Sequence, residues 1–495
     1  MPAVKAEYLP NDVKWAKMID ELADAERLAR NTAIEKRRLW YSGEHPDPLE
    51  PMSGKINDNV KYNLCGRGID KENEFIGVPE MLEAPGGVTL EHSPTGQPER
   101  MTTPEQELAD AYYARIKSQL PDIKLDGMVS GHVFLKLFSD YNDDDVLQSE
   151  FALIEPELVT MFWEMGRGSR ARTLWYRLQW KVGDTPYRQD IVPEALITPV
   201  FDERGRVVLD FGRGWQIIEY ESKPNSTRYT QTFADVWPYR FPPMLDWRNK
   251  ARPHQQYGVP TLDNGLISLN HSVNFTASNV GRILYHHAHP KTIAPGIDPD
   301  LIKETAIDGL WSVPAGTQPY NLEMQSDLAS SMNFLNEVKS QFFSQLRVLD
   351  TSSVKDRLGG ITNFGVRMLF SDQMELTEDL RMTYGELACE LAERLSEIDG
   401  TPLTGLTAKW VDPLPVNRLE LVQTAAIEDA SGFASKVTLQ ADLGRDPVTE
   451  AKRMEAQQQD DAELMTGILA KAGERGGFGT PPALNGNGNG RGEGA

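Results

Sequence analysis

Leu262, Leu266, Leu269, Val273, Ala277, Val280 and Leu284 follow one another at intervals of 4, 3, 4, 4, 3 and 4 residues. Only a helix brings such positions onto one stripe. At 1.5 Å per residue, some 27 residues make a helix about 40 Å long. A second stripe follows at Leu328, Met332, Leu335, Val338, Phe342 and Leu346. Between them lies an insertion rich in Pro and Gly, with an apolar set of Ile293, Ile297, Leu301, Ile307, Leu310, Trp311 and Val313. Two long apolar stripes so placed predict a helical pair carrying a small lobe at its tip. The face opposite the first stripe holds Asn264, Asn270, Ser272, Asn274, Ser278 and Asn279. A solvated helix face normally carries Lys and Glu. Small neutral polar groups point instead to contact with copies of the chain or to a water-filled passage.

The other segments divide around this pair. Helical spacing runs from about Asp12 to Tyr41, and Ser42-Gly43 followed by His45 to Pro48 stops it. A short helix and turn are expected over Asn59 to Val78, a loop over Ala84 to Thr103, and a helix over Pro104 to Leu120. Aromatic and β-branched residues then predict strands at His132–Phe138, Phe151–Ile154, Thr160–Trp163, Thr173–Lys181, Val207–Leu209, Gln216–Tyr220 and Arg228–Phe233. After a break at Leu349 to Thr362, one long helix is expected from Asn363 to Ile398, ended by Asp399-Gly400. The Gly/Asn-rich stretch from Ala472 reads as a disordered tail. The fold class is α+β.

Composition narrows the function. With 73 Asp+Glu against 51 Lys+Arg, the net charge of −22 argues against a protein that coats nucleic acid through counterion release. No run of 18 apolar residues predicts a membrane span, and Met1 to Tyr8 lacks the apolar core of a signal peptide, so a soluble chain made in the cytosol is expected. Two cysteines, Cys65 and Cys389, cannot form a disulfide scaffold or a CxxC site and are expected to be buried. Catalytic and cofactor motifs are missing: there is no GxxxxGK[ST], GxSxG or HExxH. Asp140, Asn142 and Asp144 fit the start of a calcium loop, but Asp145 and Phe151 occupy the positions of its Gly and bidentate Glu, so a hairpin turn is favoured. His286, His287 and His289 read as helix-end side chains rather than metal ligands. No catalytic residue, cofactor or metal is therefore assigned.

Several stretches in this order resemble the portal proteins of tailed double-stranded-DNA phages of the siphophage type. They are Leu39-Trp-Tyr-Ser-Gly43; Asn63 through Ile69-Asp70-Lys71 to Gly77-Val-Pro79; Gly131-His-Val-Phe-Leu-Lys136 with Ile154-Glu-Pro156; Phe241-Pro-Pro243, Asn249 and Gly258-Val-Pro260; Leu269-Asn270 to Ser278-Asn279; and Phe433-Ala-Ser435 through Leu443-Gly-Arg-Asp-Pro447 to Glu450 and Arg453. The resemblance covers about Asp12 to Glu463.

It implies a mixed α/β wing (1–256), a first stem helix (257–290), a small α/β clip (291–327), a second stem helix (328–347), a tunnel loop (348–362), a long wing helix (363–399), a helical crown (400–471) and the tail (472–495). It implies a ring, typically of twelve subunits, at one capsid vertex: the channel for packaging and ejecting double-stranded DNA, without catalysis of its own. The partners implied are the terminase large subunit, a head-completion adaptor, and the major capsid and scaffold proteins, with no membrane; the location is the virion, after assembly in the host cytoplasm. In that frame Asn270, Asn274 and Ser278 face the channel. Lys355 and Arg357 make passing phosphate contacts on a loop that Gly359 and Gly360 keep mobile, and Trp311 and Tyr320 belong to the clip surface that meets motor and adaptor. Two other readings stay open: another phage head protein, minor capsid or scaffold-like, and a cytosolic enzyme using carboxylates such as Glu155 and Glu157.

Overall fold

The computed structural model describes residues 13–51, 57–86, 88–92, 98–141, 147–165, 171–197, 200–201, 207–208, 214–224, 226, 228–288, 291–295, 311–313, 320–322, 328–350, 363–414, 418–433, 435, 438–439, 443 and 453–454. Its helices are α1 (Val13–Ser42), α2 (Leu64–Ile76), α3 (Pro104–Lys117), α4 (Leu120–Ser130), α5 (Glu194–Ile197), α6 (Asn264–Ala288), α7 (Leu328–Leu346), α8 (Asn363–Leu369), α9 (Ser371–Ile398) and α10 (Arg418–Ser431). The class is α+β, with strands that pair antiparallel except for one parallel pair. The chain divides into two units: residues 1–87 with 104–415, and residues 88–103 with 416–495. In the second unit the described elements include the hairpin Val88–His92/Pro98–Thr102 and α10. The expected loop over Ala84 to Thr103 thus contains a hairpin, which its turn-rich composition concealed.

In the first unit, α9 is the axis of the core. Leu380, Tyr384, Leu387, Leu391 and Leu395 share one face and are at most 1 % exposed. The helix packs on α2, α3 and the strands Leu147–Ile154, Met244–Arg248 and Thr407–Lys409. Tyr384 donates to Asn249 Oδ1 at 2.8 Å. A Cβ at Gly127 would lie 2.1 Å from the Tyr384 hydroxyl, so α4 must carry glycine there. The single helix expected over 363–398 is broken at Phe370, whose ring stacks on Phe75.

Two sheets flank this core. One runs in the order Met244–Arg248, His132–Tyr141, Leu147–Ile154. The other has five strands: Tyr229–Trp237, Trp215–Ser222, Thr185–Pro193, Ala171–Val182 and Val159–Met165. Its tight turn uses Gly183 at φ +59° to pair Val182 with Thr185. The strands Thr185–Pro193 and Met244–Arg248, and helix α4, were not expected; prolines 186, 193, 243 and 121 stand at or near their ends, where they resemble breakers.

The expected helical pair is present as α6 and α7, which pack on each other. Leu262, Leu266, Val273, Val338, Phe342 and Leu346 belong to the core, whereas Leu284 and Met332 are exposed. Between the two helices lies a three-stranded sheet with Lys291–Pro295 at its centre, Trp311–Val313 parallel on one side and Tyr320–Leu322 antiparallel on the other.

Candidate functional site

The neutral polar face of α6 has a partner inside the chain. Residues 57–63 run extended into α2, and α6 hydrogen-bonds them as a neighbouring strand would. Asn270 Oδ1 accepts from Leu64 N and Cys65 N, both at 3.0 Å, while its Nδ2 donates to Tyr62 O at 2.8 Å. Asn274 Oδ1 accepts from Tyr62 N at 2.8 Å, and Ser278 Oγ accepts from Val60 N at 2.9 Å. One turn further on, Arg282 grips Asp58 with Nε (2.7 Å) and Nη2 (3.0 Å). The register has a simple origin. Four helical residues advance about 6.0 Å, and two extended residues advance about 6.6 Å. Positions 270, 274, 278 and 282 therefore keep step with 64, 62, 60 and 58. The Leu64 and Cys65 amides are the first N–H groups of α2, and Asn63 caps Gly66 N at 2.9 Å, so the three amides of the first helical residues are all met by side chains.

The expectation that Asn270, Asn274 and Ser278 face a channel is corrected by these contacts. They are 0 %, 1 % and 0 % exposed and are held by the backbone of residues 60–65. Polarity on that face announced a polar neighbour, and the neighbour is an extended segment about 200 residues earlier.

The second arrangement lies where α7 ends. Arg347 N donates to Ser344 O and Val348 N to Phe343 O, the paired bonds of a Schellman cap. Its left-handed position holds Arg347, at φ +61°, where glycine is usual. Arg347 borders two clefts. The larger, about 470 Å³, is also lined by Lys339, Asp350, Asp372 and Gln373. The smaller, about 280 Å³, is lined by Lys250, Arg252, Asp263 and Asp379. Leu349, in the wall of the larger cleft, is tied down on both sides of its backbone: its N donates to Gln373 Oε1 at 3.3 Å, and Lys71 Nζ donates to its O at 2.5 Å. Burial lowers the Lys71 and Lys250 ammonium pKa values, and Arg347 lowers Lys250 further. Lys339 and Arg347 thus line the cleft beside residues 348–350 and Lys71 holds Leu349 O, while Lys250 and Arg252 line the smaller cleft; each cleft also carries two aspartates.

The other expected site residues fall as follows. Lys355, Arg357, Gly359 and Gly360 lie outside the described residues, as do Asn142 and Asp144 of the candidate calcium loop. Trp311 and Tyr320 both take register positions beside Ile293, on opposite edges of the central strand of the small sheet. Cys65 and Cys389 are buried free thiols, raised to about 12 by burial. Glu157 is engaged by the Arg38 guanidinium, and Glu155 is exposed at the start of a short 3-10 turn. The carboxylates that burial does raise are Glu26, Glu72 (to about 7) and Asp126 (to about 6). Glu72 accepts from Gln373 and lies 3.1 Å from the Thr377 hydroxyl, and Asp126 pairs with Arg38 at 2.9 Å. Neither lines the clefts above. Among the described residues no group of three or more His, Cys, Asp or Glu is placed to hold a metal ion, and no helix is long and apolar enough to cross a membrane. A scan against protein-family models finds no match to this chain, and a search of curated proteins finds no significant relative.

Proposed function

We propose that the chain is a phage portal subunit with the portal fold: it assembles into a ring, expected to be dodecameric, at one capsid vertex and forms the channel through which double-stranded DNA is packaged and ejected. The observation that carries this reading is the order of elements after residue 263. A 25-residue helix leads into a three-stranded sheet, a 19-residue helix packs back beside the first, and a 28-residue helix follows the 351–362 segment. That order matches stem, clip, stem, tunnel loop and wing helix. Lys339 and Arg347 beside residues 348–350 offer cations for a passing contact with phosphate, Asp350 and Asp372 in the same cleft keep that contact weak, and Lys355 and Arg357 extend it. In this reading the ring has no catalysis of its own. The small sheet with Trp311 and Tyr320 meets the terminase large subunit and then the head-completion adaptor, while capsid and scaffold proteins contact the wing. The location is the virion.

The channel face of the stem must then be built from groups other than Asn270, Asn274 and Ser278. Negative-stain images of the full chain test the reading. Rings with a central hole wide enough for duplex DNA are expected; filled particles or uniform small globules contradict it.

A further inference from the structure

A groove of about 680 Å³ runs along the outward face of α9. Its walls are two indoles. Trp247 is fixed by its Nε1, which donates to Thr383 O at 2.8 Å. Trp410 stands beside Gly385, where a Cβ would come within 3.3 Å of the indole nitrogen. Met382 also lines the groove and is 64 % exposed, an unusual position for a large apolar side chain on a helix whose other face forms the core. The rim is acidic: Glu378, Glu386, Glu390 and Glu393 all border the groove. Arg381 is the one cation among the lining residues. Its guanidinium is 5.0 Å from the centre of the Trp410 ring and donates to Ile76 O and Val411 O, so its hydrogen-bonding capacity is directed into the protein.

We propose that this groove docks a basic amphipathic helix of another protein. Apolar side chains along one edge of that helix rest on Trp247, Met382 and Trp410, and its Lys or Arg residues meet the glutamates. Two features favour a helix as occupant. Glu378 and Glu386, both exposed, stand eight residues and about 12 Å apart along α9, which matches basic residues spaced i and i+8 on a helix laid beside it, whereas Glu390 is held by Arg394 and Glu393 accepts from Leu406 N at 3.0 Å. An apolar floor with charge on the rim is also the usual form of helix-in-groove recognition. The charge complementarity speeds encounter and fixes orientation, and the indoles and Met382 supply the apolar anchor. This inference goes beyond the ring assembly and does not depend on it.

The test uses the full chain and a synthetic probe: an amphipathic Leu/Lys peptide of about 18 residues, five helical turns. A peptide of the same composition in scrambled order is the control for attraction to an acidic protein by charge alone. Binding is followed by indole fluorescence and calorimetry. The ordered peptide is expected to bind at least about tenfold more tightly than the scrambled one. Met382→Lys and Glu386→Lys are each expected to weaken it about tenfold. Both positions are exposed, and an unchanged far-ultraviolet circular dichroism spectrum verifies that the fold is kept. Equal binding of the two peptides, or ordered binding untouched by both substitutions, overturns the proposal. A change of assembly mass in Met382→Lys also overturns it, because the groove is then filled by a second copy of the chain.

Discussion

Asn270 does the work of several residues. One side chain satisfies two amides at the start of α2 and one carbonyl of the extended segment before it. Asn270→Ala leaves these buried backbone groups unpaired, and each unmet group costs about 1–3 kcal/mol. Allowing for partial relaxation, a loss of about 2–4 kcal/mol is expected in a denaturant titration. A loss below about 0.5 kcal/mol contradicts the ladder. Glu72 supplies a pH-dependent counterpart. Burial raises its carboxyl from 4.5 to about 7, so over that interval the folded chain keeps a proton that the unfolded chain has released. Stability from this group is present at low pH and lost as pH rises towards 7. Glu72→Gln can keep both contacts, accepting from Gln373 and donating to Thr377, whose hydroxyl already donates to Gln373 O at 2.7 Å. The substitution is expected to stabilise the protein by about 1–2 kcal/mol at pH 8. The gain should shrink to nothing near pH 4.5, as read from unfolding midpoints across pH.

At the scale of elements, the Schellman cap of α7 poses the sharpest question, because Arg347 occupies a left-handed position that disfavours any side chain. Arg347→Gly is expected to gain about 1 kcal/mol in unfolding free energy while removing a cation from both clefts. Destabilisation would show that Arg347 is held there for packing. The helical elements were legible in the sequence because each has one apolar stripe, and a 3.6-residue period is hard to produce otherwise. Leu266 to Val280 and Leu380 to Leu395 both show this. Short elements flanked by proline were not legible: Met244–Arg248 and α4 owe their state to neighbours far along the chain, and Thr185–Pro193, although a local hairpin partner of Ala171–Val182, is disguised by Pro186 and Pro193. The polar face of α6 was read as polar but aimed at the wrong partner. Its signal is the match between a four-residue helical step and a two-residue extended step over Asp58 to Leu64, and that match shows only when the two segments are laid together. The clefts around Arg347 gather residues 250, 252, 339 and 347, which no local spacing links.

For the whole molecule, the account joins an acidic chain of net charge −22 to one point of its path where Lys250, Arg252, Lys339 and Arg347 stand among an equal number of aspartates, so the charge there is locally balanced. Such a surface repels phosphate in general and meets it briefly in one place, which suits DNA that must slide. Neutralising Lys355 and Arg357 together is accordingly expected to slow packaging and shorten the packaged genome in a virus assay; unchanged rate and length contradict a role in the channel. All of this rests on assembly into a closed ring, since a lone subunit encloses no channel. The most direct measurement is the mass of the purified full chain in solution by light scattering. Twelve copies of a 55.4 kDa chain predict about 665 kDa. A species that stays at the mass of a monomer or dimer, even with scaffold and shell proteins present, contradicts the account.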